Sequence, residues 1–175
     1  GAVSVAITNA VSNALLHDGS TVKILNSANN DIKQNILIQS DSVSEIWSGA
    51  VLMSLFNATD LFAGMSARDG DSTGGSLSIA ASNIDTIAKI GKNVTINGQN
   101  SDISVKAKEN GDFVNIGNGS ATADNSTLGG VFVVSDVAGG ETIASIEEKS
   151  KITAAKDVAV NATRDDVYVN AAIAY

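Results

Sequence analysis

Apolar and polar residues alternate along much of this chain. Residues 2–8 read Ala-Val-Ser-Val-Ala-Ile-Thr and residues 157–162 read Asp-Val-Ala-Val-Asn-Ala. A period of two is typical of a β-strand with one buried face, so we predict strands that bury Val3, Val5 and Ile7. Further short strands are predicted at Val22/Ile24, Ile36/Ile38, Leu77/Ile79, Ile84/Ile87, Val94/Ile96, Ile103/Val105, Phe113–Ile116, Val131/Val133, Ile143/Ile146, Ile152, Val158/Val160 and Val167/Val169.

Two strand phrases recur along the chain. Gly-Ala-Val at residue 1, Gly-Ala-Val at residue 49 and Gly-Gly-Val at residue 129 open three blocks, 1–48, 49–128 and 129–175. A second phrase follows each opening, as Gly19 to Ile24, Gly91 to Ile96 and, more loosely, Lys149 to Thr153. Repeated strands at intervals of tens of residues predict stacked units, each burying its apolar side against its neighbours.

The repeats favour an all-β fold in which the whole chain, 1–175, is a single parallel β-helix segment. In such a fold each coil lays a chemically similar strand about 4.8 Å above the previous one. We expect coils of about 22 to 24 residues, with Val5, Met53 and Val133 in equivalent places. The low aromatic content of 4% predicts a narrow aliphatic core, and the absence of proline suits uninterrupted strands.

Some segments interrupt the pattern. Residues 50–56 are predicted as strand from their Gly-Ala-Val opening, although 45–65 also suits an amphipathic helix, and 57–65 is left open between the two. The polar, glycine-rich stretch within 66–76 predicts a loop insertion. Turns are predicted at Asn97-Gly98, Asn110-Gly111 and Asn118-Gly119, because Asn-Gly readily adopts positive φ.

The charge balance argues against several partners. The net charge is −8 and no cluster of Lys or Arg interrupts the acidic background, which disfavours nucleic acid and anionic bilayers. No apolar stretch reaches membrane-spanning length, so we expect no membrane insertion. Without cysteine there are no disulfides or thiolate sites. A signal-peptide pattern is also missing, and we read the chain as a segment of something longer.

Few residues could carry chemistry. His17, the one histidine, lies in a predicted exposed turn, and a single histidine without cysteine makes a zinc site improbable. Asp69, Asp71, Thr73 and Gly74 match the first half of a calcium loop, but Ala80 occupies the position of its bidentate acid. A solvated loop is therefore favoured over a calcium site.

The remaining candidates are acidic pairs, arginines and aromatic residues. Neighbouring strand residues point to opposite sides, so neither Asp165-Asp166 nor Glu147-Glu148 should present two carboxylates to one substrate bond, and we expect these pairs on a charged outer face. The core is the favoured place for Trp47, over a sugar-stacking or protein-binding patch with Phe56 or Phe62. We predict no enzyme, no catalytic residue, no cofactor and no metal. The alternative is a carbohydrate-active β-helix enzyme, a lyase or hydrolase, for which the arginines Arg68 and Arg164 are available.

The order of phrases in the third block resembles a known class of protein. Gly-Gly-Val-Phe-Val-Val, Glu-Thr-Ile-Ala-Ser-Ile at 141–146, Lys-Ile-Thr-Ala at 151–154 and Asp-Val-Ala-Val-Asn-Ala at 157–162 look like one repeat of large bacterial filamentous exoproteins. These are the filamentous-haemagglutinin-like and fusobacterial leukotoxin-type adhesins. The second block has the same order, with Asp-Thr-Ile-Ala-Lys-Ile at 85–90 and Asn-Val-Thr-Ile-Asn at 93–97.

The resemblance implies a right-handed parallel β-helix (β-solenoid), export by an outer-membrane transporter, and a fibre on the bacterial cell surface or released outside the cell. Its implied role is adhesion to proteins or glycans of host or neighbouring cells. No catalytic residue is carried over, because the motifs are structural. Open strand edges also predict end-to-end self-association of this fragment. A β-sandwich binding module is a further alternative.

Overall fold

The computed structural model describes residues 2–24, 35–50, 71–119, 126–153 and 155–174. Within these ranges every regular element is a β-strand, so the fold is all-β. The ten strands are β1 (Ala2–Leu16), β2 (Thr21–Lys23), β3 (Ile36–Ala50), β4 (Asp71–Ile90), β5 (Thr95–Asn97), β6 (Ile103–Gly119), β7 (Ser126–Gly139), β8 (Thr142–Ile146), β9 (Lys151–Thr153) and β10 (Val158–Ala174).

The strands form three parallel sheets that share one order. The first sheet is β1-β4-β7, with β8 also paired to β4; the second is β2-β5-β9; the third is β3-β6-β10. Each sheet thus takes its strands from three successive stretches of chain. We call these stretches layer 1 (β1 to β3), layer 2 (β4 to β6) and layer 3 (β7 to β10). Layer 2 lies between the other two in every sheet.

Pairing partners lie far apart in the sequence. Asn9 lies opposite Asn83, 74 positions later, and Lys92 of layer 2 meets Glu148 of layer 3, 56 positions later. The expected coil of about 22 to 24 residues is therefore wrong. The predicted strands at Ile84/Ile87 and Leu77/Ile79 are parts of one uninterrupted strand, β4, with Ile84 facing inward and Ile87 outward. The alternating pattern had thus predicted two short strands where the structure has one long strand.

The second phrase does mark stacked strands. Val22, Ile96 and Ile152 lie directly above one another in the short second sheet. That sheet closes one end of the space between the first and third sheets. The main hydrophobic cluster lies behind it, with Ile90, Ile96 and Val105 fully buried. It is the predicted narrow aliphatic core of Val, Ile and Ala.

The opening phrases do not share a register. Val5 pairs with Ile79, and Ile79 pairs with Val134 rather than Val133. A shift of one residue moves a side chain to the other face of a strand. Val5 consequently points outward with 56% of its surface exposed, whereas Val133 lies on the inner face. The expected burial of Val3, Val5 and Ile7 is wrong, because the inward positions of β1 belong to Ser4, Ala6 and Thr8.

One predicted turn is wrong, because Asn110-Gly111 lies inside the continuous strand β6. Asn118-Gly119 are the last two residues of β6 and border residues outside the described ranges, so the turn there stays a prediction. Gly111 is present because the site has no room for a side chain, and not because the chain turns there. A Cβ at this position would come within 2.8 Å of the Asp166 carboxylate and closer still to the Phe113 ring. Asn97-Gly98 does end β5, and the positive φ angles follow at Gln99 and Asn100.

The second block's opening joins a different sheet from the first. Gly49 and Ala50 end β3 in the third sheet, opposite Ile116 and Gly117. Three predictions lie outside the described residues. They are the equivalent place of Met53, the strand predicted for 50–56 beyond residue 50, and the helix-or-strand alternative at 57–65. Of the predicted loop insertion at 66–76, residues 71–76 belong to β4. The block boundaries stay a prediction.

Candidate functional site

A buried ion pair joins layers 2 and 3. Glu109 on β6 and Arg164 on β10 are directly opposite in the parallel pairing, and both point into the space between the sheets. The Glu109 side chain is fully buried, and its Oε1 lies 3.4 Å from Arg164 Nη2. The hydroxyl of Thr142, on the facing first sheet, donates to Glu109 Oε2 at 2.6 Å. A buried carboxylate needs such partners, because desolvation otherwise penalises its charge.

Asp166 and Tyr168 extend this cluster along β10. Arg164 Nε donates to Asp166 Oδ2, and so does the Tyr168 hydroxyl, at 2.6 Å. The hydrogen bond to Asp166 raises the pKa of Arg164. The pKa of Tyr168 is raised, mainly by burial and to a smaller extent by the hydrogen bond to Asp166. The guanidinium thus stays charged and the phenol neutral across the ordinary pH range.

The register between β6 and β10 explains why these groups meet. Three alternate inward positions of β6 lie beneath three of β10: Glu109 beneath Arg164, Gly111 beneath Asp166, and Phe113 beneath Tyr168. The last two rings stack with centroids 5.0 Å apart. Because Gly111 has no side chain, it leaves room for the Asp166 carboxylate between the charged and aromatic pairs.

A break in the first sheet completes the surroundings. β7 ends at Gly139 and β8 begins at Thr142, and the pairing of β7 with β4 shifts by one residue just before this break, between Asp136 and Gly139. Gly140 bridges them with φ +98, so close to the backbone of Ile84 that any side chain would clash. The break aims the carbonyl of Gly140 at Arg164 Nη1, 3.3 Å away.

A chain of hydrogen bonds crosses the interior near the other end of the sheets. It zigzags between the first and third sheets through all three layers: Ser4, Ser48, Ser78, Asn115, Ser135 and Asn170. Ser48 Oγ lies 3.0 Å from the hydroxyls of both Ser4 and Ser78. Asn115 Nδ2 donates to Ser135 at 2.8 Å. This end of the interior is therefore polar, and the members of the hydrogen-bond chain satisfy one another, whereas the buried hydroxyl of Ser76 has no partner among the described residues.

The outer faces are apolar at that same end. On the first sheet Val3, Val5, Ile7, Phe132 and Val134 are exposed. On the third sheet Trp47 is 63% exposed and heads a row with Val114 and Val169. The expected core position of Trp47 is wrong, and the hypothetical partners Phe56 and Phe62 lie outside the described residues.

Burial decides what the charged cluster can do. Glu109 has no exposed surface and the Asp166 side chain is 5% exposed, so neither carboxylate can reach a polymeric substrate. Arg164, with 30% of its side chain exposed, is the accessible member. The arrangement fits the joining of two layers better than acid-base chemistry. In the ranges the structure describes, no three His, Asp or Glu residues gather closely enough to hold a metal ion.

The other candidates are scattered. His17 is exposed in the turn after β1, where its carbonyl accepts from Ser20 N at 3.2 Å. Arg68 and Asp69 lie outside the described residues, whereas the other residues of the candidate calcium loop, Asp71, Thr73 and Gly74, lie in β4 rather than in a loop. Nothing helical in the described ranges has the length and apolarity needed to span a membrane.

The acidic pairs separate as their spacing implies, but not onto one outer face. Asp165 points outward and is exposed, whereas Asp166 points into the cluster. The expectation of an outer face for Asp166 is therefore wrong. Glu147 and Glu148 lie at the turn after β8, where they pair with Lys89 at 3.1 Å and Lys92 at 3.0 Å. The hydrogen bond from Lys89 lowers the pKa of Glu147.

Sequence reasoning missed Glu109, Thr142 and the Ser/Asn chain. The sequence did contain a signal for Glu109, because this residue continues the alternate positions of Ile103, Val105 and Ala107 that face inward on β6. A charged residue in phase with a buried face is a candidate for a buried pair. Its partner lies 55 positions away in the pairing and could be found only from the correct register.

Comparisons with known proteins add no relative. No family model, no curated protein and no solved structure matches this chain.

Proposed function

We propose that this chain is a right-handed parallel β-helix segment of a large bacterial surface fibre, with a structural and adhesive role. The carrying observation is the shared strand order of the three sheets, in which each layer adds one register-matched level to all of them. A chain that winds through three sheets in a constant order builds a rod by nearest-neighbour stacking. Right-handedness follows from the strong preference of parallel crossovers.

A rod of this kind suits presentation more than chemistry. The described interior is filled by aliphatic side chains at one end and by mutually bonded hydroxyls and amides at the other. The two carboxylates brought together inside, Glu109 and Asp166, are buried and each is paired with Arg164, which keeps 30% of its side chain exposed. Surface residues are thus left to meet proteins or glycans of other cells, and the fibre holds those residues away from the cell that makes it.

Location can be tested with an antibody raised against this chain. Applied to intact cells that produce the protein, the antibody with a gold label should decorate fibres outside the envelope in electron micrographs. Mild protease treatment of intact cells should remove the label. Labelling that appears only after the cells are permeabilised would refute the surface assignment.

Adhesion needs a separate measurement. Beads coated with the purified chain should attach to cultured epithelial cells or to the producing bacteria more often than albumin-coated beads. Soluble chain should compete for the attachment. If neither cell type binds the beads above the albumin level, this segment is a spacer and the adhesive part of the proposal fails.

The enzyme alternative rests on the meeting of Glu109, Arg164 and Asp166 in one cluster. Incubation of the chain with a panel of acidic polysaccharides, with and without calcium, should release no product. Product that appears and is then lost in Arg68→Ala or Asp69→Ala would favour the enzyme. The burial of both carboxylates makes the structural role the better supported one.

A further inference from the structure

The outer face of the first sheet carries an apolar surface that spans all three layers. Val3, Leu77 and Phe132 form one row across the strands, and Val5, Ile79 and Val134 form the next. Ile7, which is 73% exposed, begins a third. We call these seven residues the first-sheet patch. The seven residues are uncharged, but the row that Ile7 begins continues through Ala81 to Asp136 on β7, so an acidic position borders the patch.

The patch is as large as the largest apolar patches of ordinary monomers. From the exposure of its members it amounts to about 600 Å², at the top of the roughly 300–600 Å² typical of the largest apolar patch on a monomer. The inner positions of the same strands hold Ser4, Ser76 and Ser78. Large apolar side chains thus face out where small polar ones face in. Such an inversion leaves the hydrophobic surface to an external contact.

We propose that the first-sheet patch packs face to face against the same patch of a second copy, around a two-fold axis. This goes beyond the proposed function and does not depend on where the chain is displayed. Two sheets pack with their faces about 10 Å apart and their strands within about 30° of parallel or antiparallel. A two-fold contact uses one surface on both copies and closes, so it yields a dimer rather than an open chain.

Geometry selects a second copy as the occupant. Neighbouring side chains within a row lie about 4.8 Å apart across the strands, and successive rows lie about 6.7 Å apart along them. Another copy supplies aliphatic rows with the same spacing, so that side chains of one sheet can interdigitate with those of the other. The seven uncharged residues also meet their own copy without charge repulsion, despite the overall charge of −8, provided that the two-fold axis keeps the bordering Asp136 positions of the two copies apart.

The area sets the expected strength. Two such patches bury about 1,200 Å² in total, at the lower limit of specific protein interfaces. We therefore expect a reversible dimer with a dissociation constant in the micromolar range. End-to-end stacking through the strand edges of layers 1 and 3 would instead produce open-ended oligomers whose mass grows with concentration.

Sedimentation equilibrium over a wide concentration range tests this dimer. The native chain should fit a monomer–dimer equilibrium, and Val5→Lys should weaken it at least tenfold. The matched control is Val43→Lys, also in layer 1 but on the outer face of the third sheet, where Val43 is 76% exposed. The control should leave dimerisation unchanged. Thermal unfolding of both variants checks that each is folded.

Spin labels identify the contacting face. The chain has no cysteine, so Val5→Cys and Val43→Cys each give a single label site. In the dimer, labels at residue 5 should lie about 10–25 Å apart, and labels at residue 43, on the far faces, about 30–40 Å apart, given sheets stacked about 10 Å apart. A strictly monomeric chain, equal weakening by both lysines, or the reverse order of distances would overturn the proposal. Slow labelling of a monomer at residue 5 would show that the chain covers its own patch, and would overturn it too.

Discussion

At the scale of single residues, the ion pair between Glu109 and Arg164 dominates the interior. Glu109 has no access to water, and Arg164 is the cation that faces it from the next layer. Attraction across such a pair offsets the desolvation of both groups only while both partners remain. The pair also distinguishes layers, since the equivalent position in layer 1 holds Ser42.

Removal of the cation should therefore be costly. We expect Arg164→Met to lower the free energy of unfolding by roughly 3 kcal/mol, because it leaves the Glu109 carboxylate buried without its counter-charge. Lys156→Met is the control, as Lys156 forms only an exposed pair with Asp157 at 3.8 Å and should change stability by less than about 1 kcal/mol. Urea unfolding followed by circular dichroism measures both. Equal effects would contradict a special role for the buried pair.

The phenol of Tyr168 should report the same environment through pH. Its pKa is raised by burial and by the hydrogen bond to Asp166, so the folded state holds its proton more tightly than the unfolded state. This stabilisation is complete below pH 10, the ordinary tyrosine pKa, and is lost as the pH rises through the folded pKa. Absorbance titration at 295 nm in a Tyr175→Phe background should show it. Asp166→Asn should move the titration to lower pH, and no movement would exclude the Asp166 contribution.

At the scale of elements, the strands are continuous where the sequence suggests interruption. Gly111 lies within β6 because the side chains of Phe113 and Asp166 fill the space where its Cβ would project. Glycine weakens a strand through backbone entropy, so its presence inside β6 reflects this close approach. The Asn-Gly pair was informative, but about packing rather than about a turn.

Substitution of two glycines separates packing from backbone effects. Gly111→Ala should destabilise by about 1–3 kcal/mol through overpacking against Phe113. Gly130→Ala, inside β7 with open space around its Cβ position, should be neutral or stabilise by up to about 1 kcal/mol. Thermal and urea unfolding of both variants provide the comparison. A harmless Gly111→Ala would mean that the packing of layers 2 and 3 differs from that described.

Two serines on β4 test the internal hydrogen-bond chain. Ser78 is fully buried and donates to Asn115 Oδ1, whereas the buried hydroxyl of Ser76 has no described partner. Ser78→Ala should cost about 1–3 kcal/mol, because it leaves the polar groups of Asn115 and Ser48 short of a partner. Ser76→Ala should be neutral or slightly stabilising. If Ser76→Ala destabilised the fold more than Ser78→Ala, the hydrogen-bond chain would not run through Ser78.

At the scale of the whole molecule, both proposals depend on the shared strand order of the three sheets and on the register in which the strands of each sheet pair. The order builds the levels of the proposed rod, and the register aligns the rows of the first-sheet patch. On the outer face of the third sheet, Lys108 of layer 2 lies directly opposite Thr163 of layer 3. Directly opposed positions in adjacent strands are close enough for a disulfide, while diagonal ones, about 8 Å apart, are not.

Engineered disulfides should verify that register. The double variant Lys108→Cys/Thr163→Cys should oxidise readily and raise the free energy of unfolding by about 2–4 kcal/mol, because the bond closes a long loop of chain. Lys108→Cys/Asn161→Cys, displaced by two residues along β10, should remain reduced under the same conditions. Mass spectrometry after alkylation measures both. Preferential bonding of the displaced pair would show that the register is shifted.

The alternation of residues by itself determined that the chain is made of strands, and the repeated phrases indicated that Val22, Ile96 and Ile152 stack. What it left undetermined was which side of each strand faces inward. A period of two defines two faces, and at Val3, Val5 and Ile7 the apolar face is the outer one. Only the tertiary structure decided this, because the half-buried hydroxyl of Ser4 can face inward when the facing sheet supplies a hydrogen-bond partner, Ser48, 44 positions along the chain.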